Sequence, residues 1–240
     1  MTTFTAIVAQ SGTAPYARLE DLTGPGAVLV LAPHPDDESL AMGGAIAAAS
    51  AAAHRVHVAV ITDGSMSHRN SKAYPAAAIA ALRKSEVETA VDILTAGRET
   101  PIWLGYPDLA APDDPETFAE VEARLAGHFD GVTAIWTTWD GDPHPDHQRV
   151  WRLARHIADR IACPMFGCPV WGRVQSPVTG ASSEGLRRFQ TTAFRDLKAR
   201  AVAAHVSQMT GLIDDDPEGF RMPQDLAAHF VAADEIFIPA

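Results

Sequence analysis

Ala27-Val28-Leu29-Val30-Leu31-Ala32, running straight into Pro33-His34-Pro35-Asp36-Asp37-Glu38, is the stretch whose reading decides the fold. Six apolar residues in unbroken succession describe a strand covered on both faces, as the central strands of parallel sheets are. The strand then ends in one imidazole and three carboxylates. A helix is expected immediately afterwards, from about Asp37 to Ala52, interrupted only by Gly43-Gly44. Glycines cost helix propensity, so close packing of the backbone against a neighbour is the better explanation for that pair.

Outward from there the pattern repeats. Val56 to Ile61 is a second apolar strand, ending in Thr62-Asp63-Gly64 and a polar loop, Ser65 to Lys72. Pro75 to Leu94 reads as a long helix, Pro101 to Leu104 as a short strand, and Pro115 to His128 as a helix with Phe118, Val121 and Leu125 on one face. Val132 to Thr137 is a fourth strand, Trp139 to Asp146 its loop, Gln148 to Ile161 a helix, and Met165 to Trp171 a fifth strand. Strands alternating with helices at this spacing predict an α/β fold, Rossmann-like, with a mostly parallel sheet and helices on both faces. Beyond Trp171 the alternation lapses into an elaborated C-terminal third. There a strand is expected within Leu186 to Phe194, a helix over Asp196 to Met209 capped by Asp196, an acidic loop over Gly211 to Pro223, and a closing run Ile236-Phe237-Ile238. No linker or repeat divides the chain, so residues 1–240 are expected to form one domain, with residues 1–26 as an irregular lead-in.

Composition narrows the class. Of the 240 residues, 47% are hydrophobic, enough for a globular core. Nineteen basic residues against thirty acidic ones give a net charge of −11, which argues against a nucleic acid or an anionic membrane as partner. The two cysteines, Cys163 and Cys168, make no disulfide framework and are expected as reduced thiols. No signal peptide and no membrane span are legible, so the expected location is cytoplasmic.

A second cluster, His144-Pro145-Asp146-His147, follows the fourth strand. In open parallel sheets, ligands bind beyond the carboxyl ends of strands where strand order reverses, and the first strand commonly lies beside the fourth at that point. Both clusters therefore belong in one crevice. Catalytic zinc takes three ligands from His, Asp, Glu or Cys and keeps a position open for water. His34 and Asp37, three apart across a strand-to-helix turn, face one point, and His147 completes the set. Asp36 is left free beside the ion as a general base. His144, if protonated, would stabilise an oxyanion and protonate a leaving amine, with Asp146 orienting it. A His₂Asp set also accepts iron or cobalt. Taken alone, His34 is better explained as a structural histidine, and Pro-Asp-Asp as a turn and helix cap.

These residues resemble the PIG-L/LmbE-like deacetylases, which include the N-acetylglucosaminyl-phosphatidylinositol deacetylases and the bacterial mycothiol-pathway deacetylase and amidase. Thr62-Asp63-Gly64, Arg83-x-x-Glu86, Leu104-Gly105-Tyr106-Pro107-Asp108 and Lys198-x-x-Ala201-x-x-x-His205-x-Ser207-Gln208 extend the resemblance over most of residues 27–210. It implies zinc on His34, Asp37 and His147, Asp36 as base, His144 on the oxyanion side and Asp146 in support of His144. It also implies hydrolysis of an N-acyl group, usually from an N-acetylglucosamine unit. The loop Ser65-Met66-Ser67-His68-Arg69 lacks the glutamate and glycine common there in sugar deacetylases, which leaves the substrate open.

His68 and Arg69 are read equally well as substrate contacts or as a solvated loop, and Asp108 likewise as an acceptor for a sugar hydroxyl. His205 reads as a structural group, Arg83 and Glu86 as an intrahelical pair, and Trp136 as core. The expected partner is a small N-acylated amino sugar or conjugate. An amidase acting on a larger, mycothiol-type conjugate and a non-catalytic carbohydrate-binding protein that retains the pocket are the alternatives.

Overall fold

The computed structural model describes residues 2–240. Seven strands form one sheet in the order β3-β2-β1-β4-β5-β7-β6. They are β1 (Ala27–Ala32), β2 (Val56–Thr62), β3 (Ile102–Tyr106), β4 (Val132–Thr138), β5 (Met165–Cys168), β6 (Arg187–Phe189) and β7 (Glu235–Pro239). The first five are parallel, while β7 runs antiparallel to β5, and β6 antiparallel to β7. The Rossmann-like half is therefore as expected, and the elaborated third adds an antiparallel edge.

The unbroken apolar run of β1 has a simple cause. Successive side chains of a strand point to opposite faces. Val28 and Val30 enter one core with Val58, Val60 and Trp136, beneath α3 (Asp37–Ala51), α4 (Ala76–Thr95) and α7 (Arg195–Ala204). Leu29 and Leu31 enter the other with Ile61 and Ile135, beneath α5 (Pro115–Leu125) and α6 (Pro145–Ile161). Trp136 is core, as expected, and its indole N–H donates to Leu22 O at 2.9 Å. Both cysteines are free thiols.

The Gly43-Gly44 pair is explained at Gly44. A Cβ there would lie 2.5 Å from Thr191 Cγ2, and the Gly44 and Ala45 N–H groups donate to the buried carboxylate of Glu235, itself paired with Lys198 Nζ at 2.6 Å.

Four expectations are corrected. The lead-in is not wholly irregular, since α1 (Ala6–Ser11) and α2 (Leu19–Thr23) are short helices. The helix after β4 begins at Pro145 rather than Gln148, because proline fits the first turn, where its missing N–H costs nothing. The 196–209 helix breaks at His205 into α7 and α8 (Val206–Met209), and Asp196 lies inside its first turn rather than capping it. The sequence reading missed α9 (Gln224–Ala232) altogether.

β1 and β4 are neighbours in register from Ala27↔Val132 to Leu31↔Thr137, with β2 beyond β1 and β5 beyond β4. Strand order reverses between them, and the segments leaving both strands open onto the same crevice.

Candidate active site

A cavity of about 340 Å³ lies beyond the ends of β1 and β4, and His34, Asp36, Asp37, Asp108 and His144 are in its lining. The two sequence clusters meet there. Asp37 Oδ2 lies 3.3 Å from His34 Nδ1 and 3.3 Å from His147 Nε2. Donors about 2.0–2.1 Å from a tetrahedral ion are separated by about 3.3 Å, so two edges of a zinc-type tetrahedron are already in place. His147 Nε2 is buried with no hydrogen-bond partner among the described residues, as fits an atom aimed at an ion. The three residues fit a divalent metal.

Among the described residues the tight donor groups are His34/His144/His147 and His34/Asp108/Asp146; neither includes Asp37, which meets His34 and His147 through one carboxylate oxygen. The second is the poorer candidate. Asp146 Oδ2 already accepts from Leu109 N at 2.8 Å, and Oδ1 from Ala111 N at 3.2 Å and Arg149 Nη1 at 2.9 Å. Those donors saturate it.

Both histidines are backed by carboxylates on the ring nitrogen turned away from Asp37. His34 Nε2 lies 3.3 Å from Asp146 Oδ2 and 3.3 Å from Asp108 Oδ1, and His147 Nδ1 lies 2.9 Å from Asp142 Oδ2. Partners of this kind fix the tautomer and orientation of a ligating imidazole. The charges show in the proton affinities. Burial pulls His147 down, but Asp37 and Asp142 outweigh it and hold it at about 9. Burial likewise opposes His34, which Asp108, Asp146 and Asp37 raise well above the usual imidazole. Burial works to raise Asp37, but His147 and His34 hold it far below the carboxylate range. The carboxylates demand positive charge here, and a divalent ion would supply it.

Asp36 stands beside this set with φ 125° and ψ −29°, a backbone conformation that side chains rarely adopt. Such strain costs about 1–3 kcal/mol and persists only where surroundings enforce it. Here Glu38 Oε2 accepts from Asp36 N at 3.0 Å, and Arg83 Nη2 donates to Asp36 Oδ2 at 3.0 Å and also to Pro35 O. Glu38 is itself fixed by His205 Nε2 at 3.0 Å and by the Ser39 hydroxyl at 2.6 Å. Burial pushes the Asp36 carboxyl up to about 6, with Arg83 opposing and Asp37 adding to the shift.

His144 caps α6, and its Nδ1 accepts from Asp146 N at 3.2 Å. In a neutral ring that places the proton on Nε2. Burial and the charges on His34 and His147 pull His144 down to about 4, against Asp37 and Asp146, which favours the neutral ring over the protonated one on which the expected role depends. The Asp146 carboxylate does not orient it, because it is engaged by His34 and the 109–111 backbone.

The substrate candidates divide. Arg69 and Asp108 line the cavity, with Asp108 Oδ2 accepting from Met66 N at 3.0 Å. His68 is buried against Gly219 in a neighbouring cleft and is not part of the cavity wall. Arg83 and Glu86 are not a pair. Arg83 grips Asp36, and Glu86 accepts from Ser207 N and Ser207 Oγ at 2.6 and 2.7 Å. Asp142 was missed, because nothing in Gly141-Asp142 distinguishes it from an ordinary turn.

Fold and site define an enzyme that works at the switch point of a Rossmann-like sheet, with a candidate metal centre between β1 and β4. The chain belongs to the PIG-L family. The family model, described as GlcNAc-PI de-N-acetylase, matches residues 29–158, and the reaction class is hydrolytic deacetylation of an amide. Among solved structures, N,N'-diacetylchitobiose deacetylase from Pyrococcus horikoshii is similar, with 21% identity, 89% of this chain and 83% of that one covered, and a TM-score of 0.65. The zinc-inhibited form of teicoplanin deacetylase is 19% identical, with coverage of 89% and 97% and a TM-score of 0.60. The 4-carboxy-2-hydroxymuconate hydratase GalB of Pseudomonas putida is 16% identical, with coverage of 85% and 82% and a TM-score of 0.63. These likenesses are of fold, and the hydratase shows that the fold serves more than one chemistry. No curated protein matches the sequence. No helix among the described residues is long and apolar enough to cross a membrane.

Proposed function

We propose that the chain is a zinc-dependent deacetylase that removes an N-acetyl group from an amino sugar or a small conjugate of one. The observation that carries this reading is the meeting of His34, Asp37 and His147 on Asp37 Oδ2, with Asp36 beside them, outside the set and paired with Arg83. Family membership and the deacetylases of the same fold support it. When bound, zinc would polarise the amide carbonyl and bring the pKa of water to about 7.

The protein's own groups do the rest. Asp36, held near 6 and aimed by Arg83, accepts the proton of the attacking water. His144 donates Nε2–H to the carbonyl oxygen as that oxygen gains charge. His144 has no second proton to give, because its Nδ1 is occupied by the Asp146 N–H. Asp36 therefore returns the proton to the departing amine. Asp142 and Asp146 hold the ligand rings.

The test is acetate release over a panel of N-acetylated amino sugars, by protein reconstituted with zinc and by protein stripped with chelator. Release that depends on the metal is expected. A protein that binds zinc at this site and releases acetate from none of them refutes the proposal.

A further inference from the structure

At the mouth of the cavity the chain holds apolar side chains against water in a way that carries a conformational cost. Leu109 has φ 67°, in the left-handed region where Cβ crowds the following carbonyl oxygen. Leucine offers no polar side chain to offset that, as asparagine would. Its backbone is pinned: N–H donates to Asp146 Oδ2 at 2.8 Å and the carbonyl accepts from Arg149 Nη1. The side chain nevertheless lines the cavity with 47% of its surface exposed.

It is not isolated. Met66, 38% exposed, lines the same cavity, and its N–H donates to the carboxylate of Asp108, the residue before Leu109. The next carbonyl, Ser67 O, accepts from Phe220 N at 2.7 Å, and Phe220 stands edge-on to Trp171 with centroids 5.5 Å apart. Four separate segments thus bring Leu109, Met66, Phe220 and Trp171 into the wall of one cavity that is also lined by His34, Asp36 and Asp37. Single exposed apolar residues need no explanation, but four apolar residues in the wall of one binding cavity do. Glycine or asparagine would hold the Leu109 turn without strain, so the leucine is explained by what its side chain touches.

We infer that Leu109, with Met66, Phe220 and Trp171, selects substrates that carry an apolar group on the amide-bearing unit. The inference rests on the deacetylase reading and deepens it. The amide lies at the charged groups, and the apolar group lies against the four apolar side chains. That group is either an acyl chain longer than acetyl or an alkyl or aryl aglycone.

The zinc-loaded full chain and L109N are compared on N-acetylglucosamine, its octyl and phenyl glycosides, and N-octanoylglucosamine. Asparagine tolerates positive φ, so the variant is expected to fold with an unchanged or higher melting temperature. Expected for the wild type is a kcat/KM about tenfold or more above that for N-acetylglucosamine in at least one apolar series, and the series identifies the source. L109N should cut that ratio about fivefold. Equal kcat/KM across the panel, or a ratio that L109N leaves intact, overturns the inference while acetate release keeps the deacetylase reading. If nothing is turned over, calorimetric titration with octyl glucoside, which has no amide, decides. Binding that L109N weakens about fivefold sustains the apolar subsite without the reaction. No binding, or binding that L109N does not weaken, removes it.

Discussion

D142N isolates the support of a single ligand. Asp142 is fully buried and three groups meet its carboxylate: His147 Nδ1 at 2.9 Å and Val170 N at 3.0 Å on Oδ2, and Gly172 N at 2.6 Å on Oδ1. All three neighbours are donors when His147 ligates through Nε2. An amide has one acceptor and one donor end. With its oxygen toward His147, its NH₂ confronts the Gly172 N–H. With its oxygen toward Gly172, its NH₂ confronts Val170 N and forces the proton of His147 onto Nε2, the atom meant for the metal. Loss of such a partner costs about 10–100-fold in metal affinity, or about 1.4–2.7 kcal/mol. The backbone N–H left unpaired adds about 1–3 kcal/mol of destabilisation in either orientation. Zinc affinity is measured by competition with a chromophoric chelator, with H147A as the reference for a missing ligand, and stability by chemical denaturation of the metal-free protein. If D142N binds zinc within about twofold of the wild type while H147A does not bind it, Asp142 does not support the ligand and the argument from His147 Nδ1 fails.

Asp36→Asn is expected to keep its zinc, by elemental analysis, and to lose about 10²–10⁴-fold in turnover, measured as acetate release. Gly44→Ala sets a helix-propensity gain of about 1 kcal/mol against a Cβ 2.5 Å from Thr191 Cγ2 and 3.2 Å from Glu235 Oε1. Overpacking of this kind costs about 1–3 kcal/mol, so a net loss is expected in denaturant melts. His57 is pulled down to about 4 by burial and by the charges of Arg55 and His128, and Glu99, 3.8 Å away, does not reverse this. Its folded form is neutral and the unfolded chain protonates first. Its contribution is present above the ordinary imidazole value of 6.5 and is lost as pH falls towards 4. His57→Gln should therefore flatten stability against pH between 6.5 and 4 relative to the wild type, and identical slopes would contradict it.

What the sequence made legible follows from how much each feature owes to local chemistry. β1 was legible because a strand buried on both faces must be apolar at every position. His34, Asp37 and His147 were legible because few residue types hold a metal and their spacing suits a strand-to-helix turn. Placing them together needed only the rule that ligands bind where strand order reverses. Partnerships made by folding were not legible. Asp146 sits two residues from His144, yet its carboxylate turns away from that ring to His34, Arg149 and the two backbone N–H groups that the turn at Leu109 carries to it. Arg83 lies one helical turn from Glu86, but the end of β1 and the start of α8 draw them apart. α6 starts three residues before the expected Gln148, at Pro145, since proline suits a first helical turn. Helices α1, α2 and α9 are too short, or too closely flanked by Gly and Pro, for a period of 3.6 to show.

The proposed division of proton traffic follows from the same partnerships. Asp36, Asp37, Asp108, Asp142 and Asp146 all border or back one region, where Arg83 and Arg149 pair with Asp36 and Asp146 and Arg69 lines the cavity. Burying unbalanced carboxylates is costly, and without an ion the balance falls on protonated His34 and His147. A divalent ion held by Asp37, His34 and His147 would replace those protons, and the rings would then donate only outward, to Asp146 and Asp142. His144 receives no comparable support. Its Nδ1 accepts a backbone N–H, and two cationic neighbours oppose its charging. No histidine in the cavity is then free to relay a proton. The proton Asp36 takes from water has one short route back, to the amine that leaves. On this mechanism the strained backbone of Asp36, locked from below by Glu38 and His205, keeps one carboxylate within reach of both the attacking water and the departing nitrogen.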